Sequence, residues 1–171
     1  MADPPPVITH DYDTIELGGG LKPRAHPNID IQKHPAVDIT CDLSKDKIPL
    51  PDSCVNKIIS LDFIEHIKFN DFLNLLAECK RILRKGGVFE VITPDIDMAS
   101  DTWWEWNEHT YHMFAGEWIK ERPELRHKTH WTPDLLAYIL ITKGWKKIEW
   151  EYYKCDNDWW KEPKFKMKAV K

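Results

Sequence analysis

Thr14-Ile15-Glu16-Leu17-Gly18-Gly19-Gly20 is the stretch on which the reading of the chain turns. Residues 13–17 read as a short buried strand, and the three glycines after it let the backbone turn beneath a ligand with no side chain in the way. The same letters also make an ordinary loop, so the stretch acquires meaning only from what surrounds it.

Downstream, residues 28–31 (Asn-Ile-Asp-Ile) and 36–41 (Ala-Val-Asp-Ile-Thr-Cys) read as brief strands, each with an acid near its end, Asp30 and Asp42. Residues 45–53 are turn-rich, with Pro49, Pro51 and Asp52-Ser53. Residues 55–61 form the next strand, followed by Asp62. From Asp71 the apolar period changes to that of a helix: Phe72, Leu75, Leu76, Cys79, Ile82 and Leu83 share one face, while Glu78, Lys80, Arg81, Arg84 and Lys85 are expected in water. Gly86-Gly87 are read as its stop, and residues 88–92 as a strand closed by Thr93-Pro94-Asp95.

Strand, helix and strand in that order imply a right-handed parallel crossover. Ligands of such sheets lie beyond the carboxyl ends of the strands. Those ends carry Gly18 to Gly20, Asp30, Asp42, Ser60 to Asp62 and Thr93 to Asp95, five groups on one expected rim. Thr132-Pro133-Asp134 is a helix start, with Leu135, Leu136, Ile139 and Leu140 as its apolar stripe and Gly144 as its end. Residues 145–153 and 165–171 alternate and read as an antiparallel pair, in which Lys164, Lys166 and Lys168 keep one strand face solvated as edge protection.

At 171 residues, 42% hydrophobic and 30% charged with a net charge of -4, the chain fits one globular domain and shows no basic field for nucleic acid. No apolar run is long enough to cross a bilayer, and the first residues have neither a basic start nor a signal-like core; a cytoplasmic location without membrane contact is the expectation. Cys41, Cys54, Cys79 and Cys155 form no CxxC pair. Residues 1–12 are expected as a tail and 13–171 as a single domain. A Trp/His-rich insertion at about 96–130, with residues 114–120 as its helical piece, is expected to cover the rim. Its rings, from Trp103 to Trp118, suit either a pocket wall or packing onto the rim.

Ile48-Pro49-Leu50-Pro51-Asp52-Ser53, then Ile59-Ser60-Leu61-Asp62-Phe63-Ile64-Glu65-His66-Ile67, then Cys79-Lys80-Arg81-Ile82-Leu83-Arg84-Lys85-Gly86-Gly87 and Pro94-Asp95 together resemble the class I S-adenosylmethionine-dependent methyltransferases. The match covers about residues 15–95 and resumes at 130–146. The resemblance implies an α/β fold, a Rossmann-like seven-stranded sheet, mostly parallel with one antiparallel strand. It also implies S-adenosylmethionine as cofactor, held by Glu16, Gly18, Gly19, Gly20, Asp30, Asp42, Leu43, Ser60 and Leu61. Asp30 stands where a carboxylate accepts both ribose hydroxyls, and Asp42 with Leu43 on the adenine side. Lys22 stands where a third glycine is expected.

Ten positions from Gly20 to Asp30, with two prolines among them, are too few for the first crossover helix, which is expected to be absent or a turn. An open cofactor pocket follows, which a second copy of the chain in a homo-oligomer would cover. For chemistry, His66 is the first choice as base or orienting residue, with Asp62, Asp95 and His130 near it; His66 also fits a purely structural capping role. The expected reaction is in-line methyl transfer to oxygen or nitrogen of a small-molecule or sugar-like acceptor. The alternative is a methyltransferase-fold protein that binds or assembles without catalysis. Asp62/Glu65/His66, and the pairs His109/His112 with His127/His130, each have spacing that permits a metal site without being diagnostic of one, and no metal is assigned from either.

Overall fold

In a computed structural model, residues 11–101, 126–154 and 163–171 are described. Strands β1 (Tyr12–Leu17), β2 (Asn28–Asp30), β3 (Ile39–Thr40), β4 (Val55–Leu61), β5 (Leu83–Pro94), β6 (Lys146–Tyr153) and β7 (Lys164–Val170) form one sheet in the order β3-β2-β1-β4-β5-β7-β6. β7 runs antiparallel to both of its neighbours, and every other pair is parallel. The expected mostly parallel sheet with one antiparallel member is therefore present. The tail before Asp11, the segment with His109, His112 and the expected helix at 114–120, and Cys155 lie outside the described residues.

Local sequence accounts for most elements. β1 buries only its last three residues, Ile15, Glu16 and Leu17. Helix α1 (Phe69–Ile82) buries Phe72, Leu75, Leu76, Cys79 and Ile82 against the sheet, the face the 3.6-residue period picks out. It starts two residues before Asp71 and ends at Ile82, where Leu83 turns extended, so the Gly86-Gly87 stop is corrected. Those glycines serve the next strand: the β4–β5 register shifts between Val55 and Lys57, and Gly86 takes φ +80° in the opposite bulge. Helix α2 (Ile96–Asp101) is brief. In helix α3 (Pro133–Thr142) the Thr132 hydroxyl accepts from the Leu135 amide at 3.1 Å, as expected of that cap. Leu136, Ile139 and Leu140 are buried, whereas Leu135 is exposed, which narrows the expected stripe.

Lys80 of α1 donates to the Lys143 carbonyl just beyond α3 at 2.5 Å, so both helices lie on one face of the sheet. Ile58, Phe89, Val91, Phe165, Met167 and Ala169 point into that layer. The other face carries Lys57, Glu90, Lys168, Lys166 and Glu151, paired across strands as Lys57–Glu90 (3.1 Å), Lys168–Glu90 (3.7 Å) and Lys166–Glu151. This corrects the edge-protection reading: β7 lies inside the sheet, β6 is the edge, and the β7 lysines are ion-pair partners. No helix fills the interval between β1 and β2.

A second correction concerns Glu78 and Arg81. They do not face water but clamp the 48–53 loop to α1. The Arg81 guanidinium donates to Glu78 Oε2 (2.8 Å), to the Leu50 and Ile48 carbonyls (both 2.8 Å) and to Asp52 Oδ1 (2.8 Å), while Glu78 Oε2 accepts from the Ile48 amide at 3.0 Å. Arg81 holds the carboxyls of Glu78 and Asp52 below their usual range, chiefly through these side-chain hydrogen bonds. A carboxyl depressed in the folded state stabilises fully above its unfolded pKa, and that contribution is lost as pH falls through the folded value. The melting temperature is therefore expected to fall as pH drops below about 4.5. In Glu78→Gln the slope through that window should be shallower; an unchanged slope in calorimetry would remove the clamp from the account.

Candidate cofactor cleft and histidine cluster

The strand order reverses between β1, whose successors run to one side, and β4, which pairs on the other. At such a switch point the loops leaving the two strands part and leave a crevice. A cleft of about 350 Å³ opens there, lined by Gly18, Gly20, Asp30, Asp42, Leu43, Asp62, Phe63 and His66 among others. That size falls within the range of small-ligand sites.

Each wall residue is held by local bonds. Gly18 has φ +71°, and a Cβ on it would lie 2.2 Å from the Phe63 ring, so only glycine leaves that wall intact. The Asp30 carboxylate accepts from the Gly20 amide at 3.0 Å and from the Gln32 amide at 2.9 Å, which fixes it at the tip of β2. Each of its oxygens keeps a further lone pair. Asp42 accepts from the Ser44 amide (3.0 Å), the Ser44 hydroxyl (2.5 Å) and the Lys45 ammonium (2.8 Å), and the Lys45 and Ser44 hydrogen bonds draw its carboxyl below the usual range. Leu43 is buried beside it.

Other expected site residues stand back from the wall. The Glu16 carboxylate, 1% exposed, accepts from the Arg24 amide and from the Ala25 amide at 2.9 Å, and so ties down the short β1–β2 connection. The Gly19 amide donates to Asn28 Oδ1 at 3.1 Å, and Asn28 Nδ2 donates to the Gly20 carbonyl at 3.0 Å. Asn28, unmarked in the sequence reading, thus staples the glycine turn. Ser60 is buried, and its hydroxyl has no hydrogen-bond partner among the described residues. Neither Ser60 nor Leu61 lines the cleft; the next two residues, Asp62 and Phe63, do. Asp95 directly follows β5, and its Oδ1 accepts from the Asp97 amide (3.1 Å) and the Met98 amide (3.4 Å), as the cap of α2.

At the other end of the cleft Asp62 takes φ +48°, a conformation uncommon outside glycine, and its Oδ2 accepts from Lys164 at 2.8 Å. Lys164 is 7% exposed and pairs in register with Pro94, which puts the first residue of the antiparallel strand on the same rim as the last residues of the parallel ones. Sequence reading placed this lysine in water; the signal available was its position at the start of a strand expected to run antiparallel.

Behind Asp62 a single turn of 3-10 helix (Ile64–His66) meets the strap 126–131. The Lys128 and Thr129 amides donate to the Glu65 carbonyl at 2.7 and 3.1 Å, and the Thr129 hydroxyl reaches the Ile64 carbonyl at 3.2 Å. These bonds bring Lys128 to the cleft and His127 against His66, ring centres 4.9 Å apart. Glu65, 2% exposed, accepts from the Thr93 hydroxyl at 2.9 Å through Oε2, and its Oε1 lies 4.0 Å from His66 Nε2. Burial, then the nearby charges of His66, His130 and Lys164, pushes the His127 pKa down to about 3, so that ring is neutral at ordinary pH. His130 has its ring centre 6.4 Å from that of His127 and is not among the residues that line the cleft. Among the described residues Asp62 is held by Lys164, while Glu65, His66 and His127 come together; the set that includes His109 and His112 lies outside the described residues.

Residues 16–91 match the family described as "Methyltransferase domain". A relative from Mycolicibacterium smegmatis, described as "Probable S-adenosylmethionine-dependent methyltransferase", is 40% identical over 89 residues, which are 52% of this chain and 30% of the relative. The chain thus spans about a third of that relative's length. The solved structure of a SAM-dependent methyltransferase from Archaeoglobus fulgidus superposes with a TM-score of 0.65 at 13% identity, over 95% of this chain and 87% of that one. One from Methanosarcina mazei gives 0.65 at 14% identity, over 96% and 94%. Both likenesses are of fold.

Proposed function

We propose that this chain, a member of the class I S-adenosylmethionine-dependent methyltransferase family, binds S-adenosylmethionine in the cleft beyond β1 and β4 and directs its methyl group to an oxygen or nitrogen of a small-molecule acceptor. The observation that carries this reading is the meeting of Gly18, Gly20, Asp30, Asp42 and Leu43 on one cleft wall. When bound, the cofactor supplies an electrophilic methyl on a sulfonium whose leaving group is neutral.

What the chain supplies is position and polarity. Asp30, pinned by two amides, offers acceptors to a vicinal diol with no reorientation of its carboxylate. Asp42 offers an acceptor to an exocyclic amine beside the apolar side of Leu43. Glu16 and Asn28 keep the glycine turn in place without touching the ligand. Asp62 and His66, at the opposite end, are assigned to the acceptor. The Asp62–Lys164 pair sets a fixed dipole there, and alignment of acceptor and methyl carries most of the rate in an in-line displacement. Asp95 and His130 act behind this wall, Asp95 through the α2 cap.

Titration calorimetry of the chain with S-adenosylmethionine and S-adenosylhomocysteine tests the assignment. Asp30→Ala removes both the diol acceptor and the anchor of the Gly20 amide, and is expected to weaken binding by at least about a hundredfold, two charge-assisted hydrogen bonds at 1.5–3 kcal/mol each. Wild-type binding that is absent at millimolar cofactor would overturn the reading. The missing helix between β1 and β2 favours the second reading, a binding protein without turnover, which would show cofactor affinity with no methyl transfer to any acceptor.

A further inference from the structure

We propose that Glu65, His66 and His127 form a binding site for one divalent transition-metal ion, with Glu65 Oε1, His66 Nε2 and a ring nitrogen of His127 as its ligands. One ligand atom from each of the three lies within 4.8 Å of the others. The site is independent of the methyl-transfer reading, because it rests on the mutual placement of these three side chains.

The hydrogen bonds around the cluster fix which atoms face inward. His66 Nδ1 lies 3.3 Å from the Arg126 carbonyl, which only accepts, so Nδ1 carries the proton. Nε2 is then the ring nitrogen on the side of Glu65, 4.0 Å from its Oε1. Glu65 Oε2 is steadied by the Thr93 hydroxyl at 2.9 Å, the supporting bond that ligating carboxylates usually have.

The ring geometry agrees. With metal–nitrogen bonds of about 2.1 Å, two imidazoles on one tetrahedral ion have ring centres about 5 Å apart. His66 and His127 have theirs at 4.9 Å with planes at 76°. Ligand atoms on one such ion stand about 3.4 Å apart, so closure of the 4.0 Å gap requires a contraction of under about 1 Å, within reach of side-chain rotation. A cavity of about 10 Å³ bordered by Glu65, His127 and His130 adjoins the cluster, room for about one water-sized ligand.

Two nitrogens and one carboxylate favour zinc, iron, cobalt or nickel over magnesium. Asp62, whose acid would have shifted the balance toward a hard cation, is occupied by Lys164 at 2.8 Å. His66 also lines the cleft, so an ion held here has one side open to it.

The chelator-stripped chain titrated with Co²⁺ gives the test, read by visible ligand-field absorption and by calorimetry. One saturable equivalent with four- or five-coordinate bands, displaced by Zn²⁺, is expected. His66→Gln and His127→Gln should each weaken binding at least tenfold, with the metal-free melting curve as the check on folding. Thr93→Val, which keeps the ligands and removes only the supporting hydroxyl, should weaken it about 10–100-fold and serves where a histidine variant fails to fold. Absence of saturable bands at millimolar Co²⁺, or equal affinity in the substituted chains, would overturn the site. Cofactor titration of the same stripped preparation separates the two proposals, since its outcome depends on Asp30 and the glycine turn.

Discussion

Gly18→Ala is expected to weaken S-adenosylmethionine binding by about a hundredfold and to lower the melting temperature. Two costs coincide at this residue. A side chain at φ +71° is strained by about 1–2 kcal/mol, and the added Cβ would sit 2.2 Å from the Phe63 ring. The strain alone corresponds to about a tenfold effect. The clash must be relieved by moving Phe63, which lines the cleft, or by moving the glycine turn that Asn28 and Asp30 hold. Either movement opens the cleft. Gly20→Ala is the matched comparison: φ is +55°, but nothing lies within 4 Å of its Cβ, so it should pay the backbone strain and little more. Calorimetric titration of the two variants side by side measures the difference. Equal affinities would mean that Phe63 yields freely and that the wall is not what selects glycine.

Trp131→Ala carries the largest expected loss of stability, about 3–5 kcal/mol, or roughly 6–20 °C in melting temperature for a chain of this size. Trp131 is 1% exposed and packs on Phe72 and Phe69, with ring centres 4.8 and 6.4 Å away. Its carbonyl accepts from the Ile96 amide at 3.0 Å, and its backbone bridges to Asp95. Removal of the indole therefore empties the junction between α1 and the strap that carries His127 and Lys128. The indole Nε1 is buried without a hydrogen-bond partner among the described residues, so Trp131→Phe forfeits volume but no polar contact and should cost less than half as much. Denaturant unfolding of both variants checks the ranking; a Phe variant as unstable as the Ala variant would mean that the nitrogen is bonded after all.

The helix α1, the β4 strand and the Thr132 cap were legible because each is settled within a few residues. Phe72, Leu75, Leu76, Cys79 and Ile82 repeat at the helical period, Val55 to Leu61 alternate into a buried end, and threonine before proline is a local bond pattern. The absent first crossover helix was legible by arithmetic, since ten residues with two prolines cannot hold it. Gly18, Gly20, Asp30, Asp42, Leu43, Asp62 and His66 do line one cleft, because residues at the carboxyl ends of parallel strands arrive at one rim whatever the sequence between them.

Other placements depended on partners distant in sequence. A period of 3.6 assigns Glu78 and Arg81 to the outer face of α1, but the 48–53 loop returns across that face and its carbonyls take the guanidinium. Thr14 to Gly20, by itself, determined that a turn free of side chains follows a buried strand. That a Cβ on Gly18 would meet Phe63, that the Glu16 carboxylate takes the Arg24 and Ala25 amides, and that His127 joins Glu65 and His66 were decided by tertiary structure alone. So was Lys164: alternation in β7 fixes which residues share a face, but only insertion of that strand between β5 and β6 brings its first residue to Asp62. The physical reason is one of range. Backbone propensity and periodicity act over a turn or a strand, whereas a buried charge is placed by whichever opposite charge the sheet order sets beside it.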